Sequence, residues 1–300
     1  RPKVDWEEKG TFNPAAIELN HKIHILYRAV SDKNVSVLGY AASKDGLSID
    51  ERSGRPSYIP RAVFEKNGES DSNFGCEDPR LVYIDGKIYM TYTAYNDHTP
   101  RVAATSISAS DFENKKWSGK GGGWAEPSVL TPEGVDNKDA CLIPEAINGK
   151  YLILHRVNEH ICAYPLSSLD FGKEQVNQCI DILGPRRGMW DGTKVGIAAP
   201  PLKTKAGWLL LYHGISWSTV YRIGAVLLDL KDPTTVLART AVPLFEPEAE
   251  YEMKGAMPRV VFPCGLVARG DTAFMYYGAA DSTVGVATFS IKEILKRLVG

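Results

Sequence analysis

The segment with the most evident chemistry is Gly-Cys-Glu-Asp-Pro-Arg at residues 75–80, which places two adjacent carboxylates and an arginine before an apolar strand. Burial of a carboxylate is costly unless a partner compensates its charge or its pKa shifts. Taken alone, the segment is typical of an ion-paired strand end. Comparable polar segments recur along the chain, however, at the same place in a repeated unit, and this recurrence favours a functional site.

The repeated unit has one outline in five segments of the chain. A polar or Pro-containing lead-in precedes an apolar strand, a tight turn, a second apolar strand rich in Tyr, and a third strand of small residues. The turns lie at Asn20-His21, Asp85-Gly86, Asn148-Gly149, Ala206-Gly207 and Arg269-Gly270. Asn-Gly and Asp-Gly pairs supply the positive φ values of two-residue hairpin turns. The turn-to-turn spacing of roughly 60 residues is typical of propellers rather than helical solenoids.

These units predict an all-β chain. Sustained helical periodicity is confined to the tail, residues 291–298. We therefore expect a five-bladed β-propeller with a short C-terminal helix, forming a single catalytic domain over residues 1–300. Polar residues at the start of each inner strand would converge on the central channel; they are Asn13, Arg28, Asp78, Arg80, Arg156, His213 and Asp281.

Composition limits the range of partners. The chain is 44% hydrophobic and 24% charged with a net charge of −1, which describes a globular protein without a general field for nucleic acid. No apolar run approaches the length of a membrane span, and no secretory leader is visible, although the chain begins at Arg1 without a Met, as trimming or processing would leave it. The histidines form no metal-binding motif, so no metal is expected.

The cysteines are odd in number and widely scattered, without metal-ligand or redox spacing; they are Cys76, Cys141, Cys162, Cys179 and Cys264. This distribution predicts free thiols in a reducing compartment, and therefore a cytoplasmic protein.

Ordered motifs along the whole chain resemble glycoside hydrolase family 130, the β-mannoside phosphorylases with some β-mannosidases. The motifs occupy residues 12–15, 26–29, 75–80, 138–139, 154–156, 190–196, 207–214, 261–265 and 276–281. The resemblance implies a five-bladed propeller, in agreement with the repeat. It also implies a reaction in which inorganic phosphate cleaves a β-mannoside with inversion, releasing α-mannose 1-phosphate and the shortened sugar.

The implied chemistry needs one acid and a cluster of cations. Inverting cleavage by water uses two carboxylates, whereas phosphate is already an anionic nucleophile and needs a cationic pocket instead of a base. By family position, Asp78 is the acid, acting through a hydroxyl of the mannose. The phosphate-binding positions are Lys138, Arg156, Lys194 and His213. Phosphate is then a co-substrate and no cofactor is expected. The family more typically has arginine at position 138; lysine keeps the charge but loses the bidentate fork.

Sugar recognition falls, by family position, to Asn13, Arg28, Arg80, Asp139 and Asp281. Carboxylates and amides suit this task because they accept from or donate to vicinal hydroxyls. Trp190 and Tyr212 are the aromatic side chains we expect to stack under sugar rings.

Two other functions stay open. A β-mannosidase of the same family would use water and a glutamate base, for which Glu145, Glu246 and Glu250 are available. A non-catalytic glycan-binding propeller would have no need for both an acid and an anion pocket. The retained cations favour phosphorolysis. The sequence does not determine the acceptor sugar or the linkage, since that choice depends on loops such as 97–101 and 216–222. It also leaves open whether the chain forms a homo-oligomer.

Overall fold

The computed structural model describes residues 5–67, 73–119 and 122–299, and this part of the chain consists mainly of antiparallel strands. The strands are β1 (Gly10–Leu19), β2 (Lys22–Val30), β3 (Val35–Ser43), β4 (Glu51–Arg52), β5 (Phe74–Ile84), β6 (Lys87–Tyr95), β7 (Arg101–Ser108), β8 (Ser128–Val129), β9 (Asn137–Leu142), β10 (Tyr151–Val157), β11 (His160–Leu166), β12 (Ile180–Leu183), β13 (Lys194–Ile197), β14 (Leu202–Lys203), β15 (Trp208–Ile215), β16 (Tyr221–Leu228), β17 (Val236–Arg239), β18 (Val261–Arg269), β19 (Thr272–Ala279) and β20 (Thr283–Ser290). The helices are α1 (Ala109–Glu113), α2 (Glu250–Met253) and α3 (Ile291–Val299), with single 3₁₀ turns at Asp5–Glu7, Val63–Glu65 and Phe171–Lys173.

The strands form five consecutive antiparallel units: β1–β4, β5–β8, β9–β12, β13–β17 and β18–β20. A short parallel bridge between β3 and β5 joins the first two units into one sheet. The predicted turns close the first hairpins, with positive φ values at Asn20, His21, Asp85 and Gly86. The expected all-β character and the C-terminal helix are confirmed.

The apolar core lies between the units rather than within one central layer. Four clusters of buried side chains each join one unit to the next. A fifth joins the last unit to the first, for example through Ile25 of β2 and Phe274 of β19. Because burying such a side chain stabilises a fold by about 1.5–3 kcal/mol, these clusters hold each unit against its neighbours.

A side-chain hydrogen bond repeats in every unit and fixes its second strand; we call it the aromatic latch. A tyrosine hydroxyl donates to a carboxylate in the segment before the same unit's first strand, and in the third unit His155 Nδ1 donates to Asn137 Oδ1 instead. The latches are Tyr27–Glu7, Tyr92–Glu65, His155–Asn137, Tyr212–Asp191 and Tyr277–Glu252. Since successive strand residues face opposite sides, the residue after each latch points away from it. These following residues are Arg28, Thr93, Arg156, His213 and Gly278.

One cysteine prediction is wrong. Cys162 on β11 and Cys179, just before β12, form a disulfide with a Cα–Cα distance of 5.1 Å. Their separation in sequence gives no signal, but the β11–β12 ladder pairs Cys162 with Asp181 and so brings the two thiols together. The other cysteines, Cys76, Cys141 and Cys264, are free and buried.

None of the helices within the described ranges is long and apolar enough to cross a membrane.

Candidate active site

A polar cavity of about 180 Å³ lies where the five units meet. Every unit contributes to its wall, and most of the predicted site residues line it. The lining residues are Asn13, Arg28, Glu77, Asp78, Asp136, Lys138, Asp139, Arg156, Lys194, His213, Tyr221, Met257, Val260, Phe262 and Asp281.

Local backbone irregularities aim three of these side chains inward. Asn13, Asp78 and Asp139 have φ values of 47°, 50° and 56°. Each lies at a register shift in the ladder of its unit. A β-bulge re-aims a side chain, and Asn and Asp tolerate the left-handed conformation better than other non-glycine residues. Equivalent bulges in three units therefore point one polar side chain each at the same cavity.

One wall of the cavity carries Glu77, Asp78 and Asp281 with Asn13 and Arg28, and we call it the carboxylate side. Asn13 Nδ2 donates to Asp78 Oδ1 at 2.8 Å. Arg28 Nη2 lies 2.6 Å from Glu77 Oε1, and Arg28 Nη1 lies 3.5 Å from Asp78 Oδ1. This wall thus holds the acid of the predicted mechanism in a fixed orientation.

Two carboxyl groups of the carboxylate side, Glu77 and Asp281, retain their protons to a higher pH than free carboxyl groups. Burial, and next the neighbouring charge of Asp78, raise the pKa of Asp281 to about 6, against the opposing effect of Arg28. Burial also raises the pKa of Glu77, although Arg28 partly offsets it. Glycine at position 278 is required beside this wall, because a Cβ atom there would collide with Asn13.

A second part of the cavity wall carries Lys138, Arg156, Lys194 and His213 with Asp136 and Asp139, and we call it the cationic side. Arg156 Nε donates to Asp139 Oδ2 at 2.7 Å, and Arg156 Nη1 lies 3.7 Å from Asp136 Oδ2. Lys138 is the direct cross-strand partner of Arg156. Within the described ranges neither Lys138 nor Lys194 makes an ion pair, although Lys138 lies near Glu77 and Asp281 and Lys194 near Asp136 and Asp139. Both ammonium groups are therefore available to bind an anion in the cavity.

Asp139 lies beneath the cations as their buried counter-ion. Burial alone would raise the pKa of Asp139, but the charges of Arg156 and Arg80 outweigh it and hold that pKa below its ordinary value. Burial, then the charge of Arg156, lowers the pKa of Lys194.

His213 enters the site as a neutral imidazole rather than as a fourth cation. Its pKa is lowered to about 3, first by burial and despite the charge of Asp139. The ring packs against Phe262, with centroids 4.7 Å apart, and its Nδ1 is buried without a hydrogen-bond partner. The expectation of four cations is thus corrected to three cations and one neutral donor.

Arg80 supports the cavity from below and does not line it. The buried guanidinium donates to the carbonyl oxygens of Ala198, Ile197 and Asp78 at 3.0, 2.7 and 2.9 Å. It therefore ties the bulge that carries Asp78 to the fourth unit, and its bonds to carbonyl groups leave it outside the cavity lining.

Trp190 and Tyr212 also lie away from the cavity. Tyr212 is fully buried as an aromatic latch, and its hydroxyl donates to Asp191 Oδ2 at 2.8 Å. Trp190 stacks on it with ring centroids 5.5 Å apart and donates to the carbonyl of Ala241. The expectation that these rings stack under sugars is corrected: Tyr212 and His213 are consecutive strand residues, so only one of them faces the cavity.

Several lining residues were not predicted as site residues. Asp136 lies immediately before β9, two residues from Lys138, and reaches the cavity beside Arg156. Tyr221 and Phe262 flank His213, with ring centroids 5.6 and 4.7 Å from the imidazole. Glu77 was part of the first motif, but its place inside the cavity depends on the bulge that follows it.

Comparisons with known proteins agree on one family. The family described as β-1,4-mannooligosaccharide phosphorylase matches residues 5–299. A 1,2-β-oligomannan phosphorylase from Thermoanaerobacter sp. (strain X514) is 41% identical over 98% of this chain and 95% of its own length. Among solved structures, β-1,2-mannobiose phosphorylase from Listeria innocua, in complex with β-1,2-mannobiose, has a TM-score of 0.80 at 30% identity, covering 96% of this chain and 92% of that one. A structure from work on family members that hydrolyse β-1,2 mannosidic linkages in Candida mannan has a TM-score of 0.79 at 29% identity, covering 96% and 86%.

Proposed function

Since the chain belongs to glycoside hydrolase family 130, the β-1,4-mannooligosaccharide phosphorylase family, we propose that this enzyme cleaves β-mannosides with inorganic phosphate and inverts the anomeric carbon. The products are α-mannose 1-phosphate and the shortened sugar. The observation that carries the proposal is one cavity whose lining combines the carboxylate side with the cationic side.

The cationic side suits phosphate. Lys138, Arg156 and Lys194 supply positive charge, and neutral His213 supplies a further donor from a buried ring. Hydrogen bonds to charged groups stabilise a complex by about 1.5–3 kcal/mol each, and these interactions are stronger in a site from which water is excluded. A bound phosphate would also compensate the two lysines, which have no ion-pair partner among the described residues.

The carboxylate side suits proton delivery. As a phosphate oxygen forms its bond to the anomeric carbon, the bond to the leaving oxygen breaks, and that oxygen needs a proton. We assign the proton to Asp78, passed through a hydroxyl of the mannose as the family resemblance implies. Asn13 and Arg28 fix the orientation of Asp78, which positioned acid catalysis requires.

The hydrolase alternative lacks its base. Each glutamate considered for that role forms an ion pair outside the cavity: Glu145 with Lys203, Glu246 with Arg222, and Glu250 with Lys254. The two carboxylates of the cationic side, Asp136 and Asp139, both lie near the guanidinium of Arg156. Neither is therefore free to act as the base that activates water. This distribution favours phosphate over water as the nucleophile.

For the linkage we propose β-1,2. Relatives with that linkage in their names are 41% and 37% identical to this chain, whereas a β-1,4-mannooligosaccharide phosphorylase from Ruminococcus albus is 28% identical. Reverse reactions with α-mannose 1-phosphate and a panel of acceptors, followed by linkage analysis of the products, test this choice.

For the architecture we propose a five-bladed β-propeller in one domain. The support is the set of five inter-unit apolar clusters, one of which joins the last unit to the first. A cytoplasmic location stays a prediction that rests on the three free thiols, and the disulfide between Cys162 and Cys179 counts against it. Alkylation of thiols at the moment of cell lysis tests it, because an oxidising compartment would deliver Cys162 and Cys179 already cross-linked.

The decisive experiment for the function is phosphate dependence. β-1,2-Mannobiose is incubated with the enzyme in buffer with and without phosphate, and mannose 1-phosphate and free mannose are quantified. We expect mannose 1-phosphate in proportion to mannobiose consumed, and no turnover without phosphate. Equal release of free mannose in both buffers would overturn the proposal in favour of hydrolysis.

A further inference from the structure

The connection between β15 and β16, residues 216–220, carries a tryptophan with an unusual environment. Trp217 is 89% exposed, whereas Trp117, Trp124 and Trp208 are 7%, 6% and 0% exposed. Its indole makes no ring contact or hydrogen bond with any other described residue. A tryptophan has a large apolar surface, so full exposure forgoes the stabilisation that burial would give.

The position of this connection is fixed next to the cavity. In the ladders of the fourth unit, Ile215 pairs with both Lys194 and Tyr221, and the latter two line the cavity. The connection starts at the next residue and therefore projects from the cavity rim.

The connection is also held in shape. Thr219 N donates to the carbonyl of Ser216 at 2.9 Å, and Tyr221 N donates to the carbonyl of Arg259 at 3.2 Å. Arg259 is two residues from Met257, which is 49% exposed and lines the cavity. Trp217 is thus presented on an ordered rim that continues into the site.

The cavity itself is small. Its volume of about 180 Å³ is of the order of one sugar ring, so the remaining sugars of a longer substrate must emerge at the rim. Sugar rings have an apolar C–H face that packs on an aromatic ring, and an exposed tryptophan offers the largest such surface.

On this basis, and resting on the proposed function, we propose that Trp217 is the platform of an outer subsite for a distal sugar of β-mannan oligosaccharides. Trp217 would then determine chain-length preference without touching the reacting atoms. The relatives differ in this respect by name, since one is an oligomannan phosphorylase and another a mannobiose phosphorylase.

The test compares Trp217→Ala and Trp217→Phe with wild type on β-1,2-mannobiose and on β-1,2-mannotriose and mannotetraose, at saturating phosphate. We expect Trp217→Ala to raise KM for the longer substrates about tenfold, with unchanged KM for mannobiose, kcat and phosphate dependence. Trp217→Phe keeps an aromatic ring, so its KM for the longer substrates should stay close to the wild-type value. Tryptophan fluorescence of the wild type should be quenched by mannotetraose, and this quenching should vanish in Trp217→Ala.

Unchanged ratios of KM between long and short substrates in Trp217→Ala would overturn the subsite. A change in sedimentation behaviour, with equal loss on all substrates, would also overturn it, because Trp217 would then be a contact between copies of the chain. Both outcomes differ from failure of the proposed function, which would show as phosphate-independent cleavage by the wild type.

Discussion

The two walls of the cavity both combine carboxylates with cations, but carboxylates are in excess on one wall and cations on the other. The carboxylate side has three carboxyl groups and one guanidinium, whereas the cationic side has three cations and two carboxylates. On the first wall, burial raises the pKa of Glu77 and Asp281 and favours retention of protons. On the second wall, burial of His213 among arginines favours its neutral form, and the two lysines have no ion-pair partner among the described residues. One wall is built to supply a proton and the other to attract an anion, and this division separates phosphorolysis from cleavage by paired carboxylates.

The largest expected effect comes from removal of the acid. Asp78→Asn keeps the shape and the contact with Asn13 but cannot deliver a proton, so kcat on unactivated mannosides should fall about 10²- to 10⁴-fold. Initial rates of mannose 1-phosphate formation measure this loss. Glu145→Gln is the matched control, since Glu145 pairs with Lys203 outside the cavity. A variant at position 78 that keeps more than half of wild-type turnover would remove Asp78 from this role.

The next effect tests the positive charge of the cationic side. Lys194→Ala should weaken phosphate binding by about one to two decades, because hydrogen bonds to charged groups contribute about 1.5–3 kcal/mol. Rates are measured against phosphate at fixed mannoside and against mannoside at saturating phosphate. Lys194 is preferable to Arg156 here, since truncating Arg156 would leave Asp139 buried and uncompensated. If the mannoside KM rose as much as the phosphate KM, the division between the walls would be lost.

A third prediction concerns the pH dependence of stability on the carboxylate side. The pKa of Asp281 rises from an ordinary 3.8 to about 6 on folding, so burial penalises its charged form. Wild-type stability should be unaffected by this group below pH 3 and decrease as the pH rises through 6. Asp281→Asn does not titrate, so its gain in stability over wild type should grow from near zero at pH 3 to about 3 kcal/mol at pH 8. Thermal unfolding of both proteins across this range measures it; a gain independent of pH would contradict the assigned cause.

The smallest effect concerns the aromatic latches behind the two walls. Tyr212→Phe loses the hydrogen bond to Asp191 and the acceptor of Arg239 Nε, while Asp191 keeps its contacts with Arg186 and Arg239. We expect a loss of about 1.5 kcal/mol in the free energy of unfolding, the low end for hydrogen bonds to charged groups, and an unchanged KM for mannosides. Denaturant unfolding and steady-state kinetics provide the two measurements. A raised KM for mannosides without loss of stability would indicate that Tyr212 contacts the sugar.

Much of the site could be predicted because it depends on local sequence. Asn13, Asp78 and Asp139 lie at equivalent bulges, and the polar lead-ins of the repeat already marked the first two. The hairpin turns carry residues that favour positive φ, so the unit boundaries followed from sequence as well. Strand alternation also places Tyr212 and His213, consecutive residues of β15, on opposite faces of the sheet.

Other features depend on the folded surroundings. The neutral state of His213 follows from its burial beside Arg156 and Arg80, which no local pattern encodes. The disulfide depends on the register of β11 with β12, and the role of Arg80 depends on carbonyl groups more than a hundred residues away. Strand patterns specify which face a residue occupies, but not which distant groups share that face.

The most direct test of the division between the walls is phosphate binding in the absence of sugar, measured by calorimetry on wild type, Asp78→Asn and Lys194→Ala. The account predicts that Asp78→Asn binds phosphate as the wild type does, while Lys194→Ala binds it at least about tenfold more weakly. Loss of phosphate binding in Asp78→Asn, or its full retention in Lys194→Ala, would contradict the assignment of the proton to one wall and the anion to the other.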